Sequence, residues 1–255
     1  MKKLFAILLL SAMLLTLAAC DGGGANNGGA VVTDPNAGLV TVWVLSEAME
    51  DDDEKTVYSY DSKGRLLTGA VYYDGELSVN VTWNYDDNGR LTERVVTDEE
   101  GNVESRMTYT YNDAGQVISS TFMGEDGDVN WSTTYTYDEK GNLVEALDDD
   151  GYCVTYTYND KNKVTEEVDF WDGEESWRYS YTYDDNGNLT KKTTYDEGEY
   201  NGHMEYTCDA NGNPISAVKY DSDGDEYRSY TYKYTSVKVT AKQAKFVAFL
   251  QHEIN

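Results

Sequence analysis

Residues 85–91 read YDDNGRL and residues 183–189 read YDDNGNL, and the same phrase returns between and around them. It starts at Tyr60 (YDSKGRL), Tyr85, Tyr111 (YNDAGQV), Tyr137 (YDEKGNL), Tyr158 (YNDKNKV), Tyr183 and, with cysteine in place of tyrosine, Cys208 (CDANGNP). The intervals are 25, 26, 26, 21, 25 and 25 residues, a regularity that marks a repeat architecture. A second turn falls between successive phrases, at Asp74-Gly75, Glu100-Gly101, Asp126-Gly127, Asp150-Gly151, Asp172-Gly173, Glu197-Gly198 and Asp223-Gly224. An acidic residue followed by glycine between alternating apolar runs signals a hairpin, because glycine readily takes the positive φ of tight turns. Each repeat is therefore expected to be two antiparallel strands of about eight residues, roughly 27 Å long at ~3.3 Å per residue.

Alternation along these strands assigns two faces. One carries Val79, Val81, Trp83 and Tyr85, then Trp131, Thr133, Tyr135 and Tyr137, then Tyr152, Val154, Tyr156 and Tyr158, then Trp177, Tyr179, Tyr181 and Tyr183. The other carries Asn84, Thr110, Thr136, Thr157, Thr182 and Thr231. After the turns, Leu66, Leu91, Val117, Leu143, Val164, Leu189 and Ile215 are expected to extend the apolar set. One face is aromatic and the other is threonine-rich and wet.

The fold class that follows is all-β: a repetitive antiparallel β-meander of about sixteen short strands, from Val40–Leu45 to Tyr230–Val239, forming a long twisted, curled sheet. A sheet with one apolar side must roll, fold over or find a partner, and right-handed twist over so many strands favours curling. Tyrosine outnumbers phenylalanine 23 to 5, and a buried phenol needs a hydrogen-bond partner, so the concave face is expected to be only partly sealed. An outer-membrane barrel is the rival closure, but short strands and tyrosine hydroxyls suit a lipid-facing band poorly. Beyond the repeats, Thr240-Ala-Lys-Gln243 resembles a capping box, and Phe246, Val247, Phe249, Leu250 and Ile254 recur at helical spacing. A short amphipathic helix over 240–255 is expected to cap the array.

The N-terminus reads as a targeting segment: Lys2 and Lys3, an apolar run from Leu4 to Leu17, then Leu17-Ala-Ala-Cys20. That quartet resembles the lipobox of bacterial lipoproteins, which implies a signal peptide over 1–19 and lipidation of Cys20. An ordinary secretory signal is the alternative; a membrane-spanning helix would need roughly 18 to 20 apolar residues. Residues 20–38 form the lipidated cysteine and a glycine-rich tether, and 39–239 the repeat domain. The expected address is the cell envelope, lipid-anchored on the extracytoplasmic side, with the bacterial membrane as a partner through the lipid.

Loss of Lys2 and Lys3 takes the formal net charge from −27 to −29. So acidic a chain is repelled by nucleic acid, which excludes DNA and RNA as partners. Cys153 and Cys208 lie on opposite faces and about four strands apart, roughly 19 Å at ~4.8 Å per strand, beyond the reach of a disulfide. Two free thiols are expected.

The repeated phrase resembles the RHS, or YD-repeat, family, whose signature is a tyrosine–aspartate turn with glycine and a following apolar residue; YDDNGRL and YDDNGNL match it closely. The resemblance covers roughly Thr56 to Tyr234. It implies antiparallel strands wound into long spiralled sheets, in some members a hollow shell around a toxin. It supports the fold here and not a delivery function.

Catalysis finds little support. His203 and His252 are the two histidines, and the abundant carboxylates fall in repeated turns, where aspartate caps the backbone. The Asp221-Ser-Asp223-Gly-Asp225 stretch lacks the later glycine and glutamate of a calcium loop. No enzyme, metal or cofactor is expected. Two roles remain. In the first, Trp83, Trp131, Tyr135, Tyr156, Trp177 and Tyr181 form an aromatic platform for a cell-surface glycan or protein. In the second, the same ladder is the core of a purely structural or assembly protein.

Overall fold

The computed structural model describes residues 39–240, and over that span the chain is sixteen antiparallel strands. They are β1 (Leu39–Glu50), β2 (Glu54–Tyr60), β3 (Leu66–Tyr73), β4 (Glu76–Tyr85), β5 (Leu91–Asp98), β6 (Val103–Tyr111), β7 (Val117–Met123) and β8 (Val129–Tyr137). There follow β9 (Leu143–Asp148), β10 (Tyr152–Tyr158), β11 (Val164–Trp171), β12 (Glu174–Tyr183), β13 (Leu189–Asp196), β14 (Glu199–Cys208), β15 (Pro214–Tyr220) and β16 (Glu226–Thr240). The signal segment, Cys20, the tether and the expected 240–255 helix lie outside the described residues, apart from the strand ends at Leu39 and Thr240.

Each YD turn is built the same way. At Asp61 the backbone N–H donates to the Arg65 carbonyl (2.9 Å), and the Gly64 N–H donates back to the Asp61 carbonyl (3.0 Å). The Asp61 carboxylate accepts from the N–H groups of Lys63 (2.8 Å) and Arg65 (2.9 Å). Gly64 sits at φ 75°, the left-handed region, and Asn162 replaces glycine at that position in the fifth phrase with φ 63°. A type I turn closed by a left-handed residue adds one unpaired residue beside the turn. The register accordingly shifts between Ser59 and Tyr60 and at the equivalent place in six later repeats.

Every turn tyrosine reaches back one repeat. The hydroxyl of Tyr85 donates to the Leu66 carbonyl (2.7 Å), Tyr111 to Leu91 (2.6 Å), Tyr137 to Val117 (2.8 Å), Tyr158 to Leu143 (2.7 Å) and Tyr183 to Val164 (2.7 Å). Tyr60 makes the same bond to Leu45 of β1 (2.6 Å), and Cys208 makes a weak version, Sγ to the Leu189 carbonyl at 3.5 Å. The partner carbonyl belongs to the apolar residue that follows each turn, itself buried: Leu66, Leu91, Val117, Val164 and Leu189 are at most 4% exposed.

The sheet does not remain open. β1 pairs β2 on one side and β16 on the other, from Leu39 opposite Thr240 to Glu50 opposite Tyr230, which closes a barrel. This corrects the expected open, curled sheet. β1 and β16 run 12 and 15 residues, longer than the other strands, and their pairing removes both free edges. The outer surface is mostly polar, with single exposed apolar residues such as Leu67, Ile118 and Ile215. The outward positions Asn84, Thr110, Thr136, Thr157, Thr182 and Thr231 are exposed, and the ion pairs Arg106–Glu93 and Arg178–Glu166 lie on the same outer face. A lipid-facing band would be apolar at that height. Nor is the interior an open bore: one packed cluster joins side chains of β1 to β8 and β16, and a second joins β10 to β14.

The structure corrects one apolar anchor, Ile215, and leaves both Cys153 and Cys208 unpaired. The last anchor is Pro214, which is fully buried, whereas Ile215 is 41% exposed on the outer side. The two thiols are free, as expected.

If the tyrosine bonds hold successive repeats together, Tyr111→Phe should cost about 1 kcal/mol, the net worth of one hydrogen bond, and lower the melting temperature by about 2–4 °C. Tyr111→Phe combined with Tyr183→Phe should cost the sum, because the two sites are distant. Thermal melts by circular dichroism measure both.

Candidate functional site

The two ends of the barrel differ in filling. The YD turns gather at one end, where the buried anchors and the bonded tyrosines seal the interior. The acid–glycine turns gather at the other. Three of these are two-residue turns with both residues left-handed, as at Asp74 (φ 51°) and Gly75 (φ 83°). Between the sealed layer and this second rim lies a cavity of about 320 Å³. Its walls come from β1, β2 and β12 to β16, and its aromatic lining is Trp177, Tyr179, Tyr206, Tyr230 and Tyr232. The volume is in the range of small-molecule sites.

Charged groups stand among these rings. The bulge after each YD turn leaves two consecutive outward residues, so the inward positions fall three and five residues beyond the buried anchor. Three residues on stand Gly69, Arg94, Ser120, Ala146, Glu167, Lys192 and Ala217; five residues on stand Val71, Val96, Phe122, Asp148, Asp169, Thr194 and Lys219. Small residues at the first position make room for rings: Trp83 and Tyr58 lie 3.3 Å from where a Cβ on Gly69 would be. From β11 to β15 these positions instead bring in Glu167, Asp169, Lys192 and Lys219.

Asp169 is buried at 7% exposure; its Oδ2 accepts a 2.8 Å bond from the Tyr152 hydroxyl, and its Oδ1 is buried with no hydrogen-bond partner. Burial pushes this carboxyl up to about 6, against the pull of the Tyr152 bond, with the neighbouring Glu167 adding to the rise. Glu167 accepts a 2.7 Å bond from Tyr181. The Lys192 ammonium is 4.1 Å from the centre of the Tyr179 ring and 5.7 Å from that of Tyr181. Burial lowers Lys192 to about 8, with Glu167 and Asp169 opposing the fall and Lys219 reinforcing it. Across the cavity, burial raises Glu50, which is ion-paired with Arg228 at 2.7 Å.

The structure distributes the six aromatic residues singled out from the sequence. All face the interior, but Trp83 and Tyr181 are core, each 5% exposed. Tyr135 bonds Ser120 (2.9 Å), Trp131 stacks on Phe122 (centroids 4.0 Å apart), and Tyr156 packs against the β10–β14 cluster. Trp177 alone among the six lines the cavity. Strict alternation carried across the turns misses Lys192, Asp169 and Lys219. Aligning the repeats on their anchors, with the one-residue bulge included, finds them.

Among the described residues no group of histidine, cysteine or acidic side chains has the makings of a metal site, and no helix is long and apolar enough to cross a membrane.

Residues 111–152 and 137–175 match the family model of the RHS repeat, so the phrases at Tyr111, Tyr137 and Tyr158 lie in RHS repeats. Residues 41–123 match a family model described as an uncharacterised protein. No curated protein matches the sequence. Among solved structures, a porin-like protein from Bacteroides uniformis is similar over 79% of this chain and 98% of its own, with 21% identity and a TM-score of 0.50. That likeness concerns the fold. A TcdB2–TccC3 complex matches 65% of this chain and 9% of its own at 19% identity and TM-score 0.35. The Photorhabdus luminescens Tc holotoxin pore matches 69% and 11% at 16% identity and TM-score 0.34.

The buried Asp169 gives a pH signature. Its folded form keeps the proton up to about pH 6, whereas an unfolded aspartate releases it near ~4, so its deprotonation costs stability as pH rises through that window. The turn aspartates Asp86, Asp138 and Asp184 have the opposite sign: backbone N–H donors hold them below the usual range, and their contribution is lost only as pH falls below ~4. Asp169→Asn, which still accepts from Tyr152, should therefore gain melting temperature over the wild type at pH 7 relative to pH 4.5. An unchanged difference at the two pH values would contradict the assignment.

Proposed function

We propose that this chain is a lipid-anchored, extracytoplasmic repeat barrel that acts as a non-enzymatic binding or adhesion module for a cell-surface glycan or protein. The observation that carries the reading is the lumenal cavity. A barrel with packed clusters inside keeps about 320 Å³ open against five aromatic rings and several ionisable groups. Rings with polar tips suit a ligand that is partly apolar and partly hydrogen-bonding, as sugars are. The lipobox-like Leu17-Ala-Ala-Cys20 and the glycine-rich tether that follows support an envelope address, with the barrel held off the membrane.

A purely structural or assembly role is the second reading. The observation that favours it is the burial of Trp83 and Tyr181, which makes part of the aromatic ladder core.

Tryptophan fluorescence of the soluble 21–255 fragment, titrated with polysaccharides and envelope fragments, separates the two. A saturable shift in the wild type, lost in a Trp177→Ala variant that still melts cooperatively, is the expected result. Emission unmoved by every ligand supports the structural role. Cys20→Ala should move the full-length protein from the membrane fraction to the soluble extracytoplasmic fraction, as immunoblotting of fractionated cells would show.

A further inference from the structure

The repeats themselves indicate which interior charges the fold does not need. Three residues past the anchor, Gly69, Ser120, Ala146 and Ala217 are small and neutral while Arg94, Glu167 and Lys192 are charged, so the packing there does not require a charge. Lys192 occupies that position in β13 and is 6% exposed. Five residues past the anchor, Val71, Val96 and Phe122 are apolar, Asp148, Asp169 and Thr194 are polar, and β15 places Lys219. Burying a lysine where alanine suffices costs stability, which makes a second cation on the same cavity wall unexpected as packing. Lys192 of β13 and Lys219 of β15 are paired with the same residue, Met204 of β14, one on each side, so the two stand two strands apart in one row. Both line the cavity that Trp177 and Tyr230 also line.

The lining acids Glu50 and Glu54 stand on β1 and β2, and Arg228, directly opposite Lys219, lies between Lys219 and Glu50. Glu50 is committed to Arg228 at 2.7 Å. Behind Lys192 lie Asp169 and Glu167, held by Tyr152 and Tyr181. An anion entering between the lysines therefore meets two cations, with Glu167 and Asp169 acting on Lys192 and Glu50 acting on Lys219. That field tolerates one negative charge better than the −1.5 to −2 of a phosphate monoester. Lysine pairs present point charges, whereas phosphate recognition more often draws on the bidentate fork of arginine.

We propose that the cavity holds a sugar ring bearing one carboxylate, with the carboxylate between Lys192 and Lys219 and the ring against Trp177 and Tyr230. This inference rests on the binding reading above and names its ligand class.

Binding of uronic acid oligosaccharides (galacturonate, glucuronate and mannuronate trimers) to the 21–255 fragment tests it by titration calorimetry, with the methyl ester of each trimer as the uncharged counterpart. At least one acid should bind ten-fold or more tighter than its ester, and Lys219→Met should reduce the acid to the level of the ester while the protein still melts cooperatively. Lys192→Met should do the same; if it does not fold, Lys219→Met and the rescue by Lys219→Arg decide. Equal binding of acid and ester overturns the carboxylate assignment and leaves the binding module standing. Binding of neutral polysaccharides alone does likewise. Failure of every glycan, charged or neutral, removes the sugar ligand altogether.

Discussion

The hydrogen bond from each turn tyrosine to the carbonyl of the preceding repeat's anchor is the constraint on which the rest of the barrel depends. The turn chemistry of Y-D-x-x-G-x-L forces a bulge, and a bulge leaves backbone groups outside the ladder. One of these is an interior carbonyl, which is costly to bury without a partner. A phenylalanine in the next repeat would fill the space and leave that oxygen unpaired; tyrosine fills it and donates. The same need explains why a chain with 23 tyrosines has five phenylalanines. It also sets the spacing of repeats, since the bond fixes how far one hairpin slides past the next. Side chains from the turns complete the layer, with Arg65 4.9 Å from the centre of the Tyr85 ring and Arg90 5.2 Å from that of Tyr111.

Because every repeat places its tyrosine at the same end, one end of the barrel is sealed and the other is left to variation. A barrel of this many strands can enclose a channel. Here the rings and anchors fill one end, and the residual volume is displaced toward the acid–glycine rim. The polar outer face makes this a barrel turned inside out relative to a membrane pore: aromatic and packed within, threonine and ion pairs without. Likeness to a porin-like structure is thus a likeness of strand arrangement, with the chemistry of the two faces decided by this chain's own residues.

Much of this was legible from the residues. The strands, their number and antiparallel order, both sets of turns, the wet outer face and the free thiols follow from the YD phrase and period-two alternation. Closure was not legible, because it depends on β1, whose Leu39–Glu50 sequence lies before the first phrase, finding the far end of the array at β16. Pairing between residues about 180 positions apart leaves no local pattern. The interior charges escaped for a different reason. The bulge shifts the phase by one residue, so strict alternation puts Lys192 and Asp169 on the outer face, and alignment of the repeats on their anchors puts them inside. Ile215 has a simpler cause: the phrase CDANGNP puts Pro214, not the aliphatic residue after it, at the anchor position. The aromatic ladder was visible as a set, but its division into core residues such as Trp83 and a cavity residue such as Trp177 depends on where rings meet across the barrel, which no single strand records.

The lumenal cavity requires closure, since an open sheet would have neither a sealed end nor an interior. Thr41 of β1 and Lys238 of β16 are exposed and directly paired across the closing seam. Opposed residues in antiparallel strands have Cα atoms about 4.5–5.5 Å apart, within reach of a disulfide. Cysteines at these two positions, in a chain with Cys153→Ser and Cys208→Ser, should form an intramolecular disulfide on mild oxidation, read as a monomeric species with accelerated, reductant-reversible gel mobility. Free thiols after oxidation, or disulfides only between chains, would contradict the closed barrel.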